Sequence, residues 1–378
     1  MVGKINVFSS GRFHVLDLSR ELDKLGYDVR FYSYVPKKRC VKFGLRPECC
    51  KSLFWICLPM LAIRRVFSFT PALSRALNYL DTLYLDFWAS LLMRKCDIFI
   101  GMSGVSVRTL KTAKRKGAKV LLERGCKHIL EQAKILSNIP VEKKKTVPKV
   151  DIKRELLGYS LADYVVVPSD HARVSFEERG FEKSNLFQNP YGVDVGMFTP
   201  TIKSLDKNIY DVIIVGGWSY QKGVDLLAEV CLNILGVKLL HVGAIVDCPL
   251  PQHENFTHID PVNQPLLQNY YAQAKTFALP SRQDGFGLVM VQAIACGLPV
   301  VCSKHTGGRD LRSFLSNKKW IVEMQEYNTE ALASSIRQAL LLYETMPDNV
   351  LRNYAGSAIN QVTWEAYGKR YDAFIRSL

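Results

Sequence analysis

Short apolar runs alternate along this chain with longer stretches whose apolar positions recur at three- and four-residue spacing. Residues 5–9 (INVFS) run into Ser-Ser-Gly, a helical pattern follows from Phe13 to Leu25, Gly26 closes it, and Val29–Tyr34 (VRFYSY) comes next. Strand, helix and strand in that order predict a parallel sheet. Runs at 97–103 (DIFIGMS), 119–125 (KVLLERG) and 164–169 (YVVVPS) repeat the unit. A second set begins after the polar stretch 201–208 (TIKSLDKN), with strands expected at 211–217, 238–243, 277–281, 299–303 and 320–323. The pattern predicts an α/β protein of two Rossmann-like, doubly wound parallel-sheet domains facing each other across a cleft, joined near residues 189–200. Their expected limits are 1–195 and 196–355, with a terminal helix over 356–378 that returns to the first domain. Ligands of such sheets bind beyond the carboxyl ends of the strands, which places the site in the cleft. No solenoid-length repeat is present, and the one low-complexity run is EKKK at 142–145.

Residues 280–303 (PSRQDGFGLVMVQAIACGLPVVCS) concentrate the candidate chemistry. Gly285 and Gly287 allow a bend and a close approach, and Leu288–Cys296 reads as a buried helix ended by Gly297 and Pro299. A helix starting there offers free N–H groups and a positive dipole end, an anion site suited to phosphate. An ordinary strand-turn-helix corner explains the same residues. Upstream, Gly216 and Gly217 open space at the end of a strand, and Lys222 precedes Gly223 and a helical run. A lysine there is a point charge suited to a diphosphate leaving group, although a solvated lysine at a helix start has the same local sequence.

With 378 residues, two domains are expected. The composition, nearly half apolar and 22% charged, is globular. The ten cysteines include no C-x-x-C pair, so zinc and dithiol redox motifs find no support; several lie inside apolar runs, as reduced core thiols do. No signal-peptide pattern opens the chain, and the apolar run 52–63, interrupted by Pro59, is too short to span a bilayer, so a cytoplasmic protein is expected. The net charge of +15 is one-sided. Residues 1–190 hold 34 Lys and Arg against 18 Asp and Glu, whereas residues 191–378 hold 16 against 17. A basic half serves nucleic acid, an anionic membrane face or an acidic substrate, or only solubility.

Taken together, PSRQDGFGLVMVQAIACGLPVV, VGGWSYQKGVDLL, ADYVVVPS (162–169), NPYGVDVGMF (189–198) and TWEAYGKRY (363–371) resemble, in order and spacing, the retaining glycosyltransferase family four, the group-one nucleotide-sugar enzymes of GT-B fold. In the first half the resemblance rests on the first strand with SSGRFH (9–14), on RGCKH (124–128) and on ADYVVVPS. It implies that Lys222 neutralises the donor diphosphate, and that Gly285, Phe286, Gly287, Leu288 and Val289 bring backbone to the donor sugar and phosphate. It further implies that Gly11 closes over the donor and that His128 lies near the transferred sugar and the acceptor. A histidine there can hydrogen-bond a sugar hydroxyl; a surface histidine in a basic loop is the bland reading.

Three positions depart from the family pattern. A Glu pair is replaced by Asp284 and Gln292, and the arginine beside the strand glycine corresponds to Gly217. Asp284 keeps the charge on a shorter stem. Gln292 loses it, yet a helical side chain leans toward the helix N-terminus and reaches a nucleotide at the mouth. Arg282 and Arg309 are candidates to replace the missing arginine. No D-x-D motif stands at a suitable strand end, so neither metal nor other cofactor is expected, the donor itself being a substrate, and the family's front-face attack calls for no covalent nucleophile.

Residues 36–76 surround an apolar core at 52–63 with basic residues and with Phe54, Trp55, Phe67 and Phe69. Such a segment suits an anionic membrane face carrying lipid-linked acceptors, and it equally suits a core helix. The expected activity is sugar transfer from a nucleotide-diphosphate sugar to a glycan or lipid-linked acceptor in cell-surface polysaccharide or glycolipid synthesis. The alternatives are a GT-B epimerase or phosphorylase, or a nucleotide-sugar-binding scaffold that has lost catalysis. A nucleic-acid partner is not expected, because no recognition module is present.

Overall fold

A computed structural model describes residues 3–139, 146–198, 209–345 and 359–378. The run at 142–145, the polar stretch 201–208 and the expected limit at 355/356 lie outside these. The first sheet is built from β1 (Lys4–Phe8), α1 (Phe13–Lys24), β2 (Asp28–Ser33), α2 (Lys37–Lys42), β3 (Cys50–Ser52), α3 (Phe54–Phe67), α4 (Pro71–Leu92), β4 (Ile98–Met102), α5 (Val107–Arg115), β5 (Lys119–Glu123), α6 (Ile129–Ser137), α7 (Lys149–Leu161), β6 (Tyr164–Val167), α8 (Asp170–Glu177) and β7 (Leu186–Gln188). Its strands run parallel in the order β3-β2-β1-β4-β5-β6-β7. The second comprises β8 (Tyr210–Val215), α9 (Val224–Ala228), β9 (Leu239–Val242), β10 (Phe256–Ile259), α10 (Leu267–Tyr271), β11 (Ala274–Leu279), α11 (Leu288–Ala295), β12 (Val300–Cys302), α12 (Gly308–Phe314), β13 (Ile321–Glu323) and α13 (Thr329–Thr345). It too is parallel, ordered β10-β9-β8-β11-β12-β13.

Central strands such as β4, β5 and β8 are buried on both faces, so they read as apolar runs. The strand order reverses between β1 and β4 in one sheet and between β8 and β11 in the other. A crevice opens at such a reversal, beyond the carboxyl ends. That rule puts the loop after β1 (Ser9–Arg12), the turn after β8 (Gly216–Lys222) and the corner after β11 (Pro280–Gly287) at the site.

After the second sheet the chain returns as α14 (Trp364–Arg376), which packs along α1. A glycine is required at the crossing: a Cβ on Gly368 would fall 2.5 Å from that of Glu21. Arg370 ties α14 to the segment after β7, donating to Asn189 Oδ1 at 2.7 Å and to the Pro190 carbonyl at 2.6 Å.

The reading of 52–63 as a core helix is corrected. The helix α3 forms, but Cys57 is its one buried side chain; Trp55 is 79% exposed, and Phe67 and, just beyond it, Phe69 are open as well. Among the described residues all ten cysteines are free, nine of them buried, and no helix is long and apolar enough to cross a membrane.

Candidate active site

Lys222 ends a short helical turn, Tyr220–Lys222, that Gly223 reverses at φ +72. A Cβ on Gly223 would lie 2.0 Å from the Pro280 carbonyl oxygen, so this backbone is pressed against the end of β11. The side chain of Lys222 therefore points at the corner after β11, where its ammonium pairs with the Asp284 carboxylate. Both partners are partly accessible, and the pair leaves each within reach of a ligand.

The corner itself is held from both halves. Asp284 N–H donates to the His305 carbonyl at 2.9 Å. The Gly285 carbonyl accepts from Ser169 Oγ at 2.6 Å and from His171 Nε2 at 3.1 Å, and a Cβ on Gly285 would fall 1.7 Å from the Gly125 carbonyl oxygen. Phe286 is buried, its ring edge-on to Tyr191 at 5.9 Å. Gly287 sits at φ +81 and releases the chain into α11, whose first N–H groups have no partner within the helix.

Leu288, Val289 and Gln292 of α11 form one wall of a cavity of about 530 Å³. Arg12, from the loop after β1, and Phe13 and His14, which open α1, also line it. Gly11 shapes that loop, with its N–H on Ser9 Oγ at 3.2 Å. Gln292 is 6% exposed and its Oε1 accepts from Tyr271 Oη at 3.1 Å, which leaves its NH2 group as the donor for a ligand. Gly216, at φ +124, ends β8, and its carbonyl accepts from His241 Nε2 at 2.8 Å. Next to it, Gly217 leaves room filled in part by Val246.

The expected placement of His128 is corrected. It is 2% exposed, its ring lies among Tyr159, Phe176 and Phe181, and its Nδ1 caps α6 by accepting from Leu130 N–H at 3.3 Å. Burial, with Arg179 and Arg124 nearby, lowers its pKa to about 4. The histidine on the cavity wall is instead His14. Its Nε2 donates to Glu123 Oε2 at 2.9 Å, and its ring lies over Tyr191 at 4.3 Å. Glu123, fully buried, also accepts from Tyr371 Oη at 2.8 Å and from Tyr367 Oη at 3.4 Å. His14 closes the motif SSGRFH, so the sequence displayed it; the carboxylate that orients it was invisible.

Residues 210–341, which carry this corner and the second sheet, match the family model described as Glycosyl transferases group 1. This stretch, about a third of the chain, is similar to the group 1 glycosyl transferases. A D-inositol 3-phosphate glycosyltransferase of Segniliparus rotundus is 36% identical over 142 residues, 31% of each chain. The capsular polysaccharide biosynthesis glycosyltransferase CapM of Staphylococcus aureus is 27% identical over 214 residues, 52% of this chain and 55% of that one. The matches thus span about a third to a half of these curated relatives' length. Among solved structures, Anabaena Alr3699/HepE in complex with UDP superposes with a TM-score of 0.65 over 100% of both chains at 13% identity. The architecture is GT-B.

Within the group 1 family pattern, the position of the missing arginine is not refilled from its neighbours. Arg282 forms a two-pronged ion pair with Asp225, at 2.6 and 2.8 Å, and donates to the Tyr220 carbonyl. Arg309 is engaged by Glu323 at 2.8–3.1 Å. Both candidates are committed to other partners, so Lys222, paired with Asp284, is the cation that the turn after β8 brings to the corner after β11.

Proposed function

We propose that this protein is a retaining glycosyltransferase that moves a sugar from a nucleotide-diphosphate donor to a glycan or lipid-linked acceptor, with no metal in the step. The observation that carries this reading is the Lys222–Asp284 pair at the mouth of α11, set where the second sheet reverses its strand order and its corner meets the first half at Gly125 and Ser169. A diphosphate there meets the ammonium of Lys222 and the free N–H groups of α11, which together neutralise the charge that grows as the bond to the sugar breaks. Asp284, released from Lys222, is placed to accept from sugar hydroxyls. Gln292 meets the ribose through its NH2 group, and Gly11 lets the loop after β1 close over the donor. That a relative is named for capsular polysaccharide biosynthesis supports an acceptor of this class, and the UDP in the Alr3699/HepE complex supports a nucleoside diphosphate donor.

The exposed apolar side chains of α3, with Lys37, Lys38 and Lys51 close by, support attachment to an anionic cytoplasmic membrane face. The alternative, a binding protein without catalysis, draws on Gly217 and on Gln292, where two charges of the family pattern are absent. Both readings are tested by incubating the protein with UDP-, GDP-, ADP- and dTDP-sugars and following nucleotide release and the anomeric configuration of any product. Release from one donor with retained configuration is expected. Binding without release from any donor favours the scaffold, and neither binding nor release overturns both.

A further inference from the structure

Beside the Asp284–Gly285 corner, positive charge gathers from both halves of the molecule. Lys127 stands two residues beyond Gly125, whose carbonyl abuts Gly285, and its own carbonyl is held by Arg124 Nε at 3.1 Å. Lys304 precedes His305, whose carbonyl receives the Asp284 N–H. Among the described residues neither lysine forms an ion pair. Burial pushes the Lys127 ammonium below its ordinary pKa against the pull of Glu178 and Glu131, and the charge of Lys304 adds a small push in the same direction. Of these two carboxylates, Glu131 is taken by Arg179, and Glu178 is exposed to solvent.

Two histidines complete the cluster. His171 donates through Nε2 to the Gly285 carbonyl, and its Nδ1 is buried with no partner. His305 follows Lys304 in the chain, and burial followed by the Lys127 charge lowers its pKa to about 4. The seam thus collects unpaired cations and an unpartnered ring nitrogen next to the proposed point of sugar transfer. Lys127 is half-buried and Lys304 exposed; a half-buried charge without an ion-pair partner is costly, and an arriving anion removes that cost.

We propose that Lys127 and Lys304, from opposite halves, grip an anionic group of the acceptor, a phosphate ester, beside the Asp284–Gly285 corner. This rests on the donor assignment made above, because it takes that corner as the place where the sugar is passed on. Lysine suits such a group as a point charge of adjustable reach. A phosphate ester could arrive on a soluble sugar phosphate or on a lipid diphosphate, and the two carriers are told apart as follows.

Calorimetry with UDP, GDP and ADP comes first; if none binds, the donor assignment fails, and the phosphate titration is then run on the nucleotide-free protein. Inorganic phosphate is next titrated into nucleotide-saturated protein at constant ionic strength. The expected result is binding that weakens about tenfold or more in Lys127→Gln/Lys304→Gln, while nucleotide affinity changes less than about threefold. Lys304→Gln alone, at an exposed position, guards against misfolding and should weaken phosphate by about threefold or more. Equal phosphate binding by parent and double variant, or none by the parent, overturns the proposal. Glucose 6-phosphate and farnesyl diphosphate are then compared. Dependence on the lysines for the first assigns a soluble acceptor, dependence for the second a lipid carrier, and dependence for neither overturns the site.

Discussion

Replacing Gly285 by alanine should open the seam between the two sheets. The new Cβ would fall 1.7 Å from the Gly125 carbonyl oxygen, about 1.3 Å inside the 3.0 Å below which something must shift. No rotamer relieves this contact, because the obstacle is backbone, and the loop that bears it is fastened by Arg124 to Glu155, Gln132 and the Lys127 carbonyl. The corner must instead move away from the first sheet. Its carbonyl then leaves Ser169 Oγ and His171 Nε2, now at 2.6 and 3.1 Å. Each lost hydrogen bond costs about 1 kcal/mol, and the buried Ser169 hydroxyl left unpaired adds about 1 kcal/mol or more. About 3 kcal/mol shifts the closed-to-open ratio on the order of a hundredfold. Each sheet keeps its own core, so the expected outcome is a large fall in kcat/KM with both halves still folded. Small-angle scattering should show a larger radius of gyration, and amide exchange should stay protected in β1, β5 and β8. A variant with the parent's turnover, scattering profile and denaturation midpoint would refute the reasoning.

Lys222→Ala should lower kcat by at least about a hundredfold while moving the denaturation midpoint little, since its charge acts as the diphosphate departs; activity within about threefold of the parent rejects the role. Gln292→Glu keeps an acceptor for Tyr271 and turns a second oxygen to the cavity, so calorimetry should find nucleoside diphosphate bound more tightly, and abolished binding would mean that Gln292 does not face ribose. Burial lowers the pKa of His128, His241 and His305 to about 4 and of His171 to about 3. The unfolded chain binds those protons near pH 6.5, so stability present above pH 6.5 is lost as pH falls toward 4. Asp310, pushed up to about 6 by burial, opposes the loss in part, and a denaturant midpoint that stays level or rises over this window contradicts the net prediction. For the membrane face, sedimentation with phosphatidylglycerol vesicles should be salt-sensitive and lost when Trp55, Lys37, Lys38, Lys51 and Arg65 become Ser. Arg64 is left in place because it neutralises the buried Asp81 at 2.9 Å. Equal sedimentation of parent and variant removes that attachment.

Strands buried on both faces announce themselves as apolar runs, which is why β1, β4, β5, β6 and β8 could be read directly. The edge strands β3, β7 and β10 could not. They are short or half exposed, and CKS, LFQ and FTHI carry neither alternation nor an apolar run. The corner after β11 was legible because glycine spacing and a helix start are local facts. Which histidine faces the cavity is not local: His128 is drawn inward by Tyr159 and Phe176, which arrive from α7 and α8, and His14 is aimed by a carboxylate 109 residues away. Likewise, the apolar content of 52–63 is the same whether the helix faces a core or solvent, and tertiary packing alone decides.

The buried carboxylate of Glu123 also ties the site to the order in which the chain is made. Two of its hydroxyl partners, Tyr367 and Tyr371, stand on α14 and are synthesised 244 and 248 residues after it. Until α14 leaves the ribosome, the first sheet must hold Glu123 with those bonds unmade and the groove along α1 uncovered. The first half is thus obliged to wait, partly open to water and to chaperones, while the second sheet is translated and folds. Completion of the cleft becomes a late event in which α14 docks, and a chain cut before residue 364 would carry every donor-binding residue named above without the tyrosine hydroxyls that hold the carboxylate aiming His14.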